Sequence, residues 1–174
     1  MKNILIVVDV QKDFVDGALG TAEAVAIVDK VVDKIKKFDG DIIVTYDTHF
    51  DNYMDTAEGE KLPVPHCIKG TPGWELDSRV KSALDIREYT EIEKITFGSV
   101  NLPDYIAEEY DVSDISIELI GLCTDICVVS NALILKANFP ETHICVDSAC
   151  CAGVTPDKHR AALETMASCQ IDIL

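Results

Sequence analysis

Three short apolar runs in this chain end in aspartate: NILIVVD at residues 3–9, GDIIVTYD at 40–47 and THICVD at 142–147. Each has strand length and is apolar on both faces, as a strand covered on both sides must be. DISIELIG (114–121) reads as another such strand, Tyr89 to Ile92 as a weaker one, and QIDIL as a last strand. Between them lie helical stretches. Glu23 to Phe38 places Val25, Val28, Val32 and Ile35 on one face. TPGWELDSRVKSAL predicts a short helix starting near Trp74, LPDYIAEEY (102–110) a helix with Pro103 in its first turn, and Asp125 to Asn138 an apolar helix. TPDKHRAALETMAS (155–168) predicts a helix with Thr155 as N-cap and Pro156 at the first position. From Thr48 to Pro72 the periodicity is lost, and Pro63, Pro65 and Pro72 mark a long ordered loop. Strands alternating with helices predict a single α/β domain over 1–174: a parallel sheet in a three-layer α/β/α arrangement.

Composition narrows the function classes. A formal net charge of -16 disfavours nucleic acid and anionic membranes as partners. No apolar run approaches the roughly 20 residues of a membrane span. MKNILIVVDVQKDF meets an aspartate too early for a signal-peptide core, so a cytoplasmic protein is expected. The seven cysteines include no C-x-x-C pair, which argues against a structural zinc ribbon. Most are expected to be buried small hydrophobes, the adjacent Cys150 and Cys151 among them.

In parallel sheets, ligands bind beyond the carboxyl ends of the strands, where strand order reverses. Asp9, Asp47 and Lys94 follow strand candidates, and Cys127 opens a helix after the fourth. At a helix N-terminus beside a cation, a cysteine pKa falls. Cys127 is therefore a candidate nucleophile, Asp9 a candidate base, Lys94 a candidate cation, and the backbone N–H groups of the helix start a candidate oxyanion site. On spacing alone, Asp9 equally suits a turn cap, Lys94 a solvated surface and Cys127 a core position.

Four segments carry a resemblance that covers nearly the whole chain. IVVDVQKDFVDG, EKITFGSV, GLCTDICVVSNA and DSACCAG with HRAALETM occur in the order found in the isochorismatase-like cysteine hydrolases, most similarly in the nicotinamidases. The resemblance implies six parallel strands in the order 3-2-1-4-5-6, which brings Asp9 and Cys127 to one crevice. It implies catalytic roles for Asp9, Lys94 and Cys127, and an oxyanion hole from the N–H groups of Cys123 and Cys127. It also implies a cis peptide at Leu122–Cys123 and an aromatic substrate wall at Phe14.

Asp47 and His49, two apart at a strand end, project to one side, and His66 can fold back to join them. One carboxylate and two imidazoles suit zinc, iron or manganese. Spacing alone leaves an ordinary loop as the commoner reading, whereas in nicotinamidases these positions are metal ligands. The resemblance thus implies a divalent metal, zinc first, with iron and manganese as alternatives. Asp55 and Glu58 are the candidates for a fourth ligand. The resemblance is broken at Pro63, where the family usually has a stacking aromatic residue. Trp74 suits the core, the pocket or a subunit contact.

The function expected is hydrolysis of a small-molecule amide, nicotinamide to nicotinate and ammonia, by a homo-oligomer. A ureido or carbamoyl amidase of the same family is the nearest alternative. Cleavage of a vinyl ether and non-catalytic binding of a small ligand are the others.

Overall fold

The computed structural model describes residues 1–174. Its six strands are β1 (Lys2–Val8), β2 (Asp41–Asp47), β3 (Thr90–Lys94), β4 (Ile115–Leu122), β5 (His143–Ala152) and β6 (Asp172–Ile173). They form one parallel sheet in the order β3-β2-β1-β4-β5-β6. The seven α-helices are α1 (Lys12–Val15), α2 (Ala22–Lys37), α3 (Ala57–Lys61), α4 (Ser78–Leu84), α5 (Leu102–Glu109), α6 (Val129–Asn138) and α7 (Pro156–Ser168).

β1 explains the layering. Its side chains alternate between faces, and Ile4 through Val8 are all buried. Leu5 and Val7 pack with α2 and α4, while Ile4, Ile6 and Val8 pack with α5, α6 and α7. Burying each of these side chains contributes roughly 1.5–3 kcal/mol. No helix is long and apolar enough to cross a membrane.

Several boundaries differ from those expected. In α2 the buried stripe is Ala24, Ile27, Val28, Val31 and Ile35, while Val25 is 42% exposed. The stripe is rotated because α2 meets both the sheet and α4, so small Ala24 faces inward. The helix expected at Trp74 begins at Ser78, where the Asp77 side chain accepts from the Arg79 N–H. The loop from Thr48 to Pro72 contains a 3₁₀ turn, Tyr53–Asp55, and α3, whose Thr56 cap accepts from the Gly59 N–H.

β5 does not stop at Asp147. The pairing of β4 with β5 shifts between Leu119 and Gly121, and Asp147 lies in the resulting bulge, away from the sheet's rim. Its carboxylate lies 2.8 Å from the Lys34 ammonium, which is also 2.6 Å from Glu118. Cys150 and Cys151 are buried within the continued strand, and all seven cysteines are free.

Strand order reverses between β1 and β4. Gly121 lets the two strands converge there. Its φ is +120°, and a Cβ would collide with the Val8 carbonyl oxygen, so no other residue fits without movement.

Candidate active site

Asp9 follows β1 directly, with φ of +48°. This left-handed conformation is uncommon outside glycine and recurs at functional sites. Asp9 is 0% exposed, and its Oδ1 accepts a 2.7 Å hydrogen bond from the Thr45 hydroxyl of β2. Lys94 ends β3, where it pairs in register with Asp47, and is 4% exposed. Its ammonium lies 2.6 Å from Asp9 Oδ2, 3.4 Å from Asp47 Oδ1 and 3.5 Å from Cys127 Sγ. Three groups separated by 38 to 118 residues of chain thus meet around one nitrogen.

Cys127 does not lie in the first turn of an α-helix. It lies in a π-helical turn, Thr124–Val128, in which the Val128 N–H bonds back to the Cys123 carbonyl, and α6 begins only at Val129. Such wide turns are frequent at functional sites. The Leu122–Cys123 peptide is cis, and the Cys123 N–H forms no hydrogen bond within the protein. Asn131 ties the turn down: its Nδ2 donates to the Cys127 carbonyl at 2.8 Å, and its Oδ1 accepts from the Ser99 N–H at 2.8 Å.

The electrostatics correct the expectation of a depressed thiol pKa. Burial, and then the Asp9 charge, push Cys127 well above the ordinary thiol value, and Lys94 only partly opposes them. Burial also raises the Asp9 carboxyl, against the pull of Lys94. Burial alone would lower Lys94, but the Asp9 carboxylate, with Asp47 beyond it, outweighs burial and keeps the ammonium charged. Raising Asp9 makes it a stronger base toward the thiol beside it. Burial and Asp125 push the Cys123 thiol up to about 12.

Asp47 connects this group to a second one. Its Oδ2 lies 3.0 Å from His49 Nε2 and 3.5 Å from His66 Nε2. His66 reaches the site because residues 67–69 run alongside His49: the His49 N–H donates to the Cys67 carbonyl, and the Lys69 N–H to the His49 carbonyl. Candidate ligand atoms of Asp47, His49 and His66 lie within 4.8 Å of one another. Glu58 Oε1 lies 3.7 Å from His49 Nε2 and 3.5 Å from His66 Nε2. Exposed Asp55 forms no ion pair with either histidine, so of the two fourth-ligand candidates Glu58 is in place.

The chemistry of this cluster fits a divalent cation. His66 Nδ1 is 2.8 Å from the Val64 carbonyl, which places the proton on Nδ1 and turns the Nε2 lone pair toward the cluster. His49 Nε2 is buried and makes no hydrogen bond despite its closeness to Asp47. Asp9 and Asp47 face one ammonium, so the buried group carries excess negative charge. Two imidazole nitrogens and two carboxylate oxygens suit zinc, manganese or iron.

Both groups open into one cavity of about 450 Å³, whose lining includes Phe14, Asp47, His66, Phe97, Ile126 and Cys127. Phe14 packs on His66 with ring centroids 5.5 Å apart. Pro63 is exposed and off the cavity, where Leu62 contributes instead. Trp74 is not a cavity residue. It stacks on Tyr46 at 5.1 Å and donates from Nε1 to the Thr48 hydroxyl at 2.9 Å.

Thr45 and Tyr53 escaped sequence reasoning. Buried Tyr53 packs edge-on against both imidazoles, 4.8 and 5.1 Å away, and donates to the Leu62 carbonyl. Thr45 did leave a signal: a hydroxyl inside an otherwise apolar, doubly covered strand requires a buried partner.

Fold and site together define a doubly wound α/β domain with a thiol, an ammonium and a carboxylate at its switch point. Residues 3–174 match the isochorismatase domain, and the chain belongs to that family. It is 28% identical to the nicotinamidase/pyrazinamidase of Mycobacterium tuberculosis, over 98% of this chain and 97% of that protein. Among solved structures, the nicotinamidase/pyrazinamidase of Bacillus subtilis superposes with a TM-score of 0.85 at 26% identity, covering 99% of both chains. The pyrazinamidase of Pyrococcus horikoshii in complex with zinc superposes with a TM-score of 0.79 at 25% identity, covering 100% of this chain and 99% of that one.

Proposed function

We propose that this chain is an amidohydrolase that converts nicotinamide to nicotinate and ammonia through a thioester on Cys127. The observation that carries this reading is the Lys94 ammonium, held between Asp9 and Cys127 beside a cavity that also receives Asp47 and His66. Asp9 takes the thiol proton, and Lys94 stabilises the thiolate as it forms. The sulfur attacks the carboxamide carbon. The N–H groups of Cys123 and Cys127 hold the resulting oxyanion. Asp9 returns the proton to the departing nitrogen, ammonia leaves, and the acyl group stays on sulfur. Water, deprotonated by Asp9, then splits the thioester and regenerates the thiol.

Asp47, His49 and His66, with Glu58 as a further oxygen donor, would hold a divalent ion. When bound, that ion supplies a Lewis-acid position facing the cavity, suited to a ring nitrogen. The relative from Pyrococcus horikoshii was solved with zinc, which makes zinc the first expectation here. Phe14 supplies a flat apolar wall for the ring.

A ureido or carbamoyl substrate is the second reading, favoured by Leu62 rather than an aromatic side chain on the wall near Pro63. Ammonia release from nicotinamide, pyrazinamide and a set of N-carbamoyl compounds separates the two. Nicotinamide turned over well above the N-carbamoyl compounds supports the first reading, and the reverse order replaces it with the second.

A further inference from the structure

Gln11 lies two residues beyond Asp9 and is 0% exposed. Its amide hydrogen-bonds through both ends. Oε1 accepts from the Asp47 N–H at 2.8 Å, and Nε2 donates to the Asp47 carbonyl at 2.9 Å and to the Trp74 carbonyl at 2.8 Å. One side chain thus satisfies both backbone polar groups of a single residue on a neighbouring strand.

The topology explains the need. The ladder between β1 and β2 ends at Val8 and Thr45, so β1 has run out before β2 reaches Asp47. On its other side, Asp47 is still paired with Lys94 of β3. The Gln11 side chain takes the place of the missing strand. Trp74 adds a second clamp on the same strand end through its stack on Tyr46 and its bond to Thr48. The residue held in this way has one carboxylate oxygen 3.4 Å from the Lys94 ammonium and the other within 3.5 Å of both histidine Nε2 atoms.

We infer that Gln11 is a positioning residue for the metal centre: its amide fixes the backbone of Asp47 and thereby sets how tightly Asp47, His49 and His66 hold a divalent ion. The inference rests on reading that cluster as a metal site. Groups one shell outside the ligands commonly change metal affinity about 10–100-fold when they are removed. Gln11→Met keeps the shape of the side chain and removes all three hydrogen bonds. Gln11→Asn keeps an amide that is one methylene short, a milder change should the first variant fail to fold.

The test is a zinc titration of the metal-free proteins against a chromogenic chelator. A buried-core control that does not line the cavity, Met166→Ala, goes alongside. The expected result is zinc affinity about 10–100-fold weaker in Gln11→Met, with a loss in the same direction in Gln11→Asn. Met166→Ala is expected to lower the melting temperature and leave zinc affinity unchanged. Unchanged affinity in the Gln11 variants overturns the inference, as does an equal loss in Met166→Ala. Wild-type protein that takes up no zinc, manganese or iron overturns the metal reading itself, and this inference with it.

Discussion

Lys94 and Asp9 form an ion pair of 2.6 Å that is almost wholly shut off from water. A buried ammonium with a single carboxylate partner would be a balanced pair. Here a second carboxylate and a thiol also face it, so the nitrogen organises the site as well as neutralising it.

Asp9 must be ionised to accept the thiol proton, so activity falls as pH drops through its pKa. Burial raises that pKa above the ordinary value of about 3.9, while the Thr45 hydroxyl bond favours the ionised form and works against the rise. Thr45→Val removes the bond, raises Asp9 further and moves the acid limb of kcat/KM to higher pH. A hydrogen bond to a charged group is worth about 1.5–3 kcal/mol, or roughly one to two pH units. A pH–rate profile of the two proteins measures the shift, and coincident acid limbs count against Asp9 as the base.

Removing divalent ions by dialysis against a chelator should leave the protein folded and sharply reduce amide turnover, with recovery on adding back zinc, manganese or iron. His66→Ala should lower both bound metal, measured by elemental analysis, and turnover. Full activity in metal-free protein contradicts the assigned ligand role.

Gly121→Ala should destabilise the chain by at least about 2 kcal/mol, since positive φ and a backbone collision act together. Urea unfolding measures it. A loss under about 0.5 kcal/mol, the level of an ordinary surface change, shows that β1 and β4 can separate at low cost.

Lys34 lies between Glu118 and Asp147, all three partly buried. Lys34→Met leaves two carboxylates facing each other and should cost about 1–3 kcal/mol, between the values for exposed and buried pairs. Burial raises the Asp147 carboxyl, but Lys34 more than offsets it and holds the pKa below the ordinary value. The stabilisation is therefore present above about pH 3.9 and is lost as pH falls through the lower folded value. The stability gap between wild type and variant should narrow over that acid range.

The sheet was legible because its strands are apolar on both faces and end in polar residues. Asp9 and Asp47 were visible because they end such runs, whereas Lys94 stands in a charged stretch, and the resemblance to a known family supplied the strand order that joins all three to Cys127. Other features depend on contacts that a linear pattern does not contain. The bond from Thr45 to Asp9 and the bonds from Gln11 to Asp47 each cross 36 positions. Val25 was expected inside because periodicity fixes the spacing of a stripe but not its rotation toward a second helix. The thiol was expected to be acidic because a helix N-terminus was assumed, whereas Cys127 lies in a π-helical turn and burial, then the Asp9 charge, push its pKa up.

The central claim is that Cys127 performs the chemistry and that its neighbours make the chemistry possible. Ammonia release from nicotinamide by Cys127→Ala, with circular dichroism confirming the fold, tests it most directly. The account predicts a native spectrum, retained metal binding and no ammonia above background. Ammonia released at a rate near wild type from the folded variant contradicts it.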